Sequence, residues 1–290
     1  MSLCAGMSRC AGTRCARPVR PSRIERGSTN PGYPIMSAPA RRLSLFAPDT
    51  VPEIVHGTDL ASVFLNAVHA RGEAAESGDI VVFAQKVVSK AEGRAILLSG
   101  VSPGAKALAL AAETGKDPRV VELILQESDE IVRKRDGLII ARHKNGCVAA
   151  NACIDLSNAG GDDIAVLLPV DADRSAQTIT EDIFAKSGVR VGVIVNDSLG
   201  RAWRTGTTGT AIGVYGITAL QDRRGAIDRA GNVLQTSEIA IADEVASAAS
   251  LLMGQGDEGL PIVVVRGLDW ATGTGKAADL VRPRELDLFR

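Results

Sequence analysis

Residues 189–216 read VRVGVIVNDSLGRAWRTGTTGTAIGVYG, and this stretch decides how the rest of the chain is interpreted. Its first part, Val189 to Val195, is a β-branched, largely apolar run that is typical of a strand buried on both faces. Asn196, Asp197 and Ser198 follow at once, and ligands in open α/β sheets bind just beyond the carboxyl ends of strands. A carboxylate beside a hydroxyl also suits a hard divalent cation. We therefore predict a ligand site at this polar run.

The next segment, residues 200–213, combines glycines and threonines with two arginines. Arg201 and Arg204 lie three residues apart, and two such side chains can bind phosphate or carboxylate oxygens in a forked geometry. Glycines let backbone N–H groups approach an anion closely. We predict an anion-binding loop here, followed by a strand that returns over residues 211–220. The alternative is an ordinary Gly/Thr-rich loop with solvated arginines.

The composition is that of an ordinary enzyme of 290 residues. Hydrophobic residues make up 45% of the chain but aromatic residues only 3%, so Ala, Val, Leu and Ile must build the core. There are 33 basic and 34 acidic residues, and this balance argues against nucleic acid or an anionic membrane surface as the main partner. No apolar run approaches the roughly 18 residues of a membrane span. Any anion site must therefore be local.

The N-terminal end differs in kind from the rest. The first 35 residues hold six arginines, three cysteines and four prolines, without an apolar h-region or any periodicity. We expect residues 1–41 to be a disordered or artefactual extension, with Met36 as the true start, and residues 42–290 to form one domain. A disordered basic arm is the alternative. Residues 42–290 contain two cysteines, Cys147 and Cys153. Such a small number of cysteines favours a reducing cytoplasm as the location of the protein.

Two segments before residue 140 have a clear apolar pattern. Residues 79–90, DIVVFAQKVVSK, read as a strand that turns polar at Gln85 and Lys86, and lysines at a strand end can reach phosphates. A solvated edge strand with ordinary charged flanks is the alternative. Residues 118–134 carry an apolar stripe at helical spacing, so we predict one helix over this whole range.

Two polar segments later in the chain can take part in binding. Asp155 and Asn158 can place a carboxylate for a cation and an amide for a base or sugar on one side of a turn. The alternative is an Asx turn that satisfies its own backbone. Residues 253–261, MGQGDEGLP, form a glycine-rich loop that can hold a nucleotide, or a plain helix C-cap. The body has no P-loop and no Rossmann fingerprint.

Six blocks of the chain together resemble the coenzyme F420-0:L-glutamate ligase family, which adds γ-linked glutamates to the lactyl phosphate arm of the deazaflavin F420. In the family's order and spacing, from about Leu43 to Gly267, they are PEIVHGTDL, QKVVSKAEGR, NACIDLSN, NDSLGRAWRTGTTGTAIGVYG, ADEVASAASLLMGQ and GLPIVVVRG. The resemblance implies an α+β fold with mixed sheets and packed helices, unlike P-loop or Rossmann folds. It also implies that residues 42–290 are a ligase domain, and that the protein is an intertwined homodimer.

The resemblance further implies a GTP-dependent ligase that joins L-glutamate to F420-0 and uses Mg²⁺ or Mn²⁺, with K⁺ as a further candidate ion. Asp155, Asp197 and Ser198 match metal ligands of the family, Gln255 stands where some members have a glutamate ligand, and Asn158 matches a nucleotide contact. The residues expected to contact GTP are Pro52, Glu53, Ile54, Val55, Gln85, Lys86, Lys90, Asn158, Met253, Gly254, Gln255, Gly256, Asp257, Glu258, Gly259 and Leu260. The residues to which we assign the chemistry are Asp155, Asp197, Arg201 and Arg204.

Two positions depart from the family pattern. Cys153 stands where the family has glycine, and we expect cysteine there only if the backbone does not need a positive φ. Gln255 brings a carbonyl oxygen without a charge, so a second metal ion is expected to be held more weakly. Two other functions stay open: an amide ligase of the same scaffold that acts on another carboxylate, and a GTP-binding regulator without catalysis.

Overall fold

The computed structural model describes residues 41–157, 161, 163–269 and 273–288. Most of the predicted N-terminal extension, residues 1–41, lies outside this part of the chain. The strands in the described residues are β1 (Ser44–Phe46), β2 (Ile80–Ala84), β3 (Ala95–Leu97), β4 (Ser128–Arg135), β5 (Leu138–His143), β6 (Val148–Ala150), β7 (Ile164–Val166), β8 (Gly192–Arg201), β9 (Arg204–Tyr215), β10 (Gln221–Asp222), β11 (Glu238–Ile239) and β12 (Ile262–Arg266). The α-helices are α1 (Leu60–Ala70), α2 (Gln85–Ala91), α3 (Ala105–Thr114), α4 (Pro118–Glu127), α5 (Ala172–Ser187) and α6 (Ile241–Met253).

The helices and sheets confirm the prediction of an α+β fold with mixed sheets. The predicted homodimer stays a prediction. Within the described ranges, no helix combines the length and the apolar character that crossing a bilayer requires.

A mixed five-stranded sheet in the order β1, β12, β2, β8, β9 forms the centre of the fold. β2 and β8 are parallel, and the other neighbours are antiparallel. Side chains of β2 alternate between two cores: Val81 and Phe83 pack with α1 and α5, whereas Ile80 and Val82 pack with α6. Both faces of the sheet are therefore covered by helices. This arrangement confirms that the apolar run before Asn196 belongs to a strand buried on both sides.

The strand β8 does not end where its apolar run ends. It continues through Asn196, Asp197 and Ser198 to Arg201, and β9 pairs with it over this length. The loop prediction is therefore wrong over residues 204–210, which belong to β9, whereas the return strand predicted over residues 211–220 is confirmed as far as Tyr215. Inter-strand hydrogen bonds from β8 satisfy this backbone, and a bulge lies between Val195 and Asn196.

Two glycines let β9 lie unusually close to its covering helices. A Cβ atom on Gly209 would lie 2.3 Å from the carbonyl oxygen of Ala246 in α6, and one on Gly213 would lie 2.3 Å from that of Ala172 in α5. Both obstacles are backbone atoms, which cannot rotate away as a side chain can. Glycine is thus required at these positions by the close approach of the backbones.

A second region contains α3, α4 and a three-stranded sheet in the order β4, β5, β6. The single helix predicted over residues 118–134 is wrong in its second half, since α4 ends at Glu127 and β4 begins at Ser128. Ile131 pairs with Ala141 of β5. The apolar residues of this segment fit a strand as well as a helix, and the neighbouring strand decides between them.

The predicted strand over residues 79–90 is also shorter than expected. β2 ends at Ala84, and the polar part of the segment is the helix α2. Gln85, Val88 and Ser89 recur at helical spacing and are all buried. Gln85 and Ser89 are polar and follow the apolar part of the segment, a pattern that is typical of a strand end. Both side chains are nevertheless buried inside the protein.

We predict that Gly213→Ala destabilises the protein by about 1–3 kcal/mol, because the new Cβ forces α5 away from β9. The matched control is Gly200→Ala in β8, where a Cβ meets nothing within 4 Å. Urea denaturation of both variants measures the difference. Equal midpoints for the two variants would contradict the close approach of α5 and β9.

Candidate active site

The parallel pairing of β2 and β8 determines where the candidate site lies. Ala84 and Asn196 are paired in register, so both strands reach the same edge of the sheet together. Beyond this edge α2 begins immediately, whereas β8 continues with Asp197 and Ser198. A cleft of about 1050 Å³ opens here. This volume is slightly above the usual range of about 300–1,000 Å³ for sites that bind small molecules.

Five separate segments of the chain contribute residues to the cleft. The predicted site residues that line it are Pro52, Glu53, Ile54, Val55, Gln85, Lys86, Lys90, Asp155, Asp197, Ser198, Met253, Gly254, Gln255, Gly256, Asp257, Gly259 and Leu260. Glu258 is not among them, and its carboxylate accepts a hydrogen bond from the backbone N–H of Gly256 in its own loop at 2.8 Å. Asn158 lies outside the described residues. The fold thus brings together side chains that are up to about two hundred residues apart in sequence.

The two predicted arginines lie at the tip of the β8–β9 hairpin. Arg201 and Arg204 pair across the turn, and both are exposed. Neither lines the cleft. Their role as clamps on a phosphoryl group stays a prediction. Within the described residues, Lys86 and Lys90 supply the lysine lining of the cleft.

A left-handed turn precedes Asp155. Asn151, Ala152 and Cys153 have φ values of 53°, 52° and 60°, although none is glycine. The expectation that cysteine at 153 requires a negative φ is therefore wrong. Left-handed backbone costs an L-residue roughly 1–2 kcal/mol, and burial of Cys153 in the core near α5 offsets this cost. Strain of this kind is common beside functional groups.

Contacts from α2 and β7 hold Asp155 in place. Its backbone N–H and C=O bond to Val166 at 3.0 and 2.8 Å. Its carboxylate oxygen Oδ2 accepts a hydrogen bond from Gln85 Nε2 at 2.8 Å and lies 3.3 Å from Lys86 Nζ. The side chain of Gln85 also accepts a hydrogen bond from Ser89 at 3.0 Å. The carboxylate therefore faces other segments, which is not the self-contained Asx turn considered as the alternative.

Asp197 is a buried acid with an incomplete set of partners. Its Oδ1 accepts a hydrogen bond from the backbone N–H of Ser198 at 2.8 Å. Among the described residues no cation lies within ion-pair distance of its carboxylate. Burial, together with the nearby charge of Asp155, raises the pKa of Asp197 to about 7. A cation placed between the two carboxylates would reverse this shift.

Similarity to known proteins covers most of the chain. The model of the family described as F420-0:Gamma-glutamyl ligase matches residues 50–267. The chain belongs to this family. It is 44% identical over 250 residues to the coenzyme F420:L-glutamate ligase of Methanothermobacter thermautotrophicus, which covers 86% of this chain and 99% of that protein.

Two further relatives carry the same name. The coenzyme F420:L-glutamate ligase of Methanocaldococcus jannaschii is 47% identical over 215 residues, covering 74% of this chain and 86% of the relative. That of Archaeoglobus fulgidus is 39% identical over 249 residues, covering 86% and 97%. The resemblance inferred from six sequence blocks is thus confirmed.

The oxygen donors of this F420-0:Gamma-glutamyl ligase family member fit a divalent cation. Asp155 and Asp197 supply carboxylates, and the Ser198 hydroxyl accepts a hydrogen bond from Gln255 Nε2 at 2.7 Å. Gln255 therefore keeps its carbonyl oxygen for another partner. The described residues contain no metal-holding group of three or more His, Cys, Asp or Glu side chains. Mg²⁺ is usually bound by one or two carboxylates with waters and substrate phosphates, which matches this donor set.

Asn196, Ser250 and His56 also line the cleft of this family member. Asn196 donates its amide N–H to Ser250 at 3.0 Å and to the sulfur of Met253 at 3.4 Å. Its buried carbonyl oxygen has no hydrogen-bond partner among the described residues. His56 lines the cleft with its ring against Gly93. Asn196 belongs to the polar run in which the sequence predicts a ligand site. Ser250 lies in the alanine-rich helix α6, where no sequence pattern indicates a role in binding.

We predict that Asp197 destabilises the metal-free protein progressively as pH rises from about 4 to 7. Folded Asp197 keeps its proton over this range and unfolded Asp197 does not, so rising pH favours unfolding by about 1.4 kcal/mol for each unit of pKa difference. The variant Asp197→Asn lacks this loss. Urea unfolding in EDTA at pH 4.5, 5.5 and 7.0 measures the gap between the two proteins. Parallel pH profiles would show that Asp197 is not perturbed.

Proposed function

We propose that this protein is a GTP-dependent ligase that adds L-glutamate through a γ-linkage to coenzyme F420-0, in the biosynthesis of coenzyme F420. F420-1 is a second candidate substrate. One observation carries the proposal: in a chain of this family, Asp155 and Asp197 meet in a single large cleft that Lys86 and Lys90 also line. Carboxylates that hold a cation beside two lysines form a suitable environment for a nucleoside triphosphate.

The proposed reaction has two steps. The terminal carboxylate of F420-0 attacks the γ-phosphoryl group of GTP, so that GDP leaves and an acyl phosphate forms. The amine of L-glutamate then attacks the acyl carbon, phosphate leaves, and the amine gives up a proton as the amide forms. Neither step needs a nucleophilic side chain, so positioning and charge supply the catalysis.

The protein's own cations have a defined part in this scheme. Lys86 and Lys90 lie on one helix at positions four apart, and both residues line the cleft. We propose that they bind the oxygens of the transferred phosphoryl group. Arg201 and Arg204 are further candidates for this role, although they lie on the exposed hairpin tip.

Asp155, Asp197, Ser198 and Gln255 are the residues proposed to hold Mg²⁺ or Mn²⁺, with K⁺ as a further ion. Such a cation, when bound, neutralises charge that spreads over the phosphoryl oxygens. The two carboxylates would hold the cation, and the burial of Asp197 would strengthen its interaction with it. The connector from Pro52 to Val55 and the loop from Met253 to Leu260 form the remaining walls for GTP.

Two further features belong to the proposal. The described cysteines, Cys147 and Cys153, are free thiols, and this agrees with a reducing cytoplasm as the location. The protein is proposed to act as a homodimer on F420-0, L-glutamate and GTP.

Two other functions make different predictions: a related ligase would use another carboxylate, and an inactive regulator would bind GTP without releasing phosphate.

We predict that the purified protein, given F420-0, L-glutamate, GTP and Mn²⁺, yields a product heavier by one or more glutamate residues. Asp197→Asn abolishes this product and metal-dependent GTP hydrolysis while leaving the circular dichroism spectrum unchanged, because one carboxylate of the site is lost. Mass spectrometry measures the product. Unmodified F420-0 with the wild-type protein would refute the proposed function, and full activity of the variant would remove Asp197 from the site.

A further inference from the structure

Two adjacent residues at the start of α2 contact the same oxygen of Asp155. Gln85 Nε2 donates a hydrogen bond to Oδ2 at 2.8 Å, and Lys86 Nζ lies 3.3 Å from that oxygen. The second acidic residue of the proposed cation site, Asp197, lines the same cleft as Lys86. The Lys86 ammonium group therefore neutralises the Asp155 carboxylate, and it does so from the position where a divalent cation is expected to bind.

Gln85 and Lys86 differ in how firmly they are held. Gln85 is 2% exposed, and its amide oxygen accepts a hydrogen bond from the fully buried Ser89. Both ends of its side chain are thus fixed inside the protein. The Lys86 side chain is 29% exposed, and Asp155 is the carboxylate with which it forms an ion pair in the described structure. Gln85 can orient Asp155 permanently, whereas Lys86 is free to exchange its partner.

The Lys86 ammonium group and a divalent cation compete for the Asp155 carboxylate. A divalent cation that binds Asp155 adds positive charge next to an ammonium group, and like charges at this distance repel strongly in a partly buried site. The long, flexible lysine side chain can swing into the cleft, which it already lines. Phosphate oxygens that arrive with the cation offer it a new anionic partner.

We propose that Lys86 is a built-in counter-ion of Asp155, which a divalent cation displaces, and that the displaced ammonium group then binds the phosphate chain accompanying that cation. Cation and nucleotide therefore bind cooperatively through one lysine. Gln85, held by Ser89, is the positioning residue that keeps the Asp155 carboxylate in place during the exchange. This inference rests on the divalent-cation site of the proposed ligase.

The test measures Mn²⁺ binding to the full-length chain without nucleotide, by isothermal titration calorimetry. In Lys86→Met the competitor is gone, and we expect Mn²⁺ to bind about tenfold more tightly than in the wild type. The complex of Mn²⁺ with a non-hydrolysable GTP analogue should instead bind at least tenfold more weakly, because its phosphates lose their lysine. An exchange of partners by Lys86 therefore predicts that the variant binds Mn²⁺ alone more tightly and the nucleotide complex more weakly.

Two other variants serve as controls on the same helix. Lys90→Met removes the same charge, but Lys90 Nζ pairs with Glu53 at 2.7 Å instead of with the metal carboxylates. Its affinity for Mn²⁺ alone should stay within twofold of the wild type. Gln85→Met should weaken Mn²⁺ binding roughly 10–100-fold, since loss of a partner that orients a metal ligand typically has this effect.

Unchanged or weaker Mn²⁺ binding in Lys86→Met overturns the inference, as does equal tightening in Lys90→Met. Lys86→Gln repeats the test with a polar side chain and must change Mn²⁺ affinity in the same direction. The ligase assay is independent of these titrations. Absence of glutamylated product, together with the expected Mn²⁺ affinities, would refute the proposed function and leave the counter-ion exchange standing.

Discussion

Parallel pairing of β2 with β8 is the constraint on which the rest of the structure depends. The two strands pair from Ile80 with Gly192 to Ala84 with Asn196, although more than a hundred residues separate them in sequence. Parallel strands end at the same edge of a sheet, so this register places the start of α2 beside the polar continuation of β8. The cleft, its lysines and one of its carboxylates all follow from that single alignment.

The second carboxylate reaches the cleft at an energetic cost. Asp155 comes from the other region of the fold, through a turn in which three successive L-residues adopt left-handed backbone. The sequence keeps a buried cysteine at the last of these positions, where glycine would relieve the strain. Bringing this carboxylate near the buried Asp197 also disfavours ionisation of Asp197, whose pKa it helps to raise. A cation bound at the proposed site would favour ionisation of Asp197 and so remove the electrostatic cost.

How much the sequence could predict depends on where the deciding contacts lie. The six blocks correctly indicated the family and most of the cleft lining, because those residues are close together within each block. The helix predicted around Ile131 was wrong because pairing with β5 makes this segment a strand. The loop prediction for residues 204–210 was wrong because pairing with β8 satisfies their backbone and makes them part of β9. The bond from Gln85 to Asp155, 70 residues away, leaves no local pattern at all.

Asp155 and Asp197 are proposed to converge on one divalent cation. The most direct test is an anomalous difference map from crystals of the protein soaked in Mn²⁺, recorded at the manganese absorption edge. The account predicts a strong peak within bonding distance of both carboxylates, in the cleft beside Lys86. A strong peak that contacts neither carboxylate, or no peak in this cleft at saturating Mn²⁺, would contradict it.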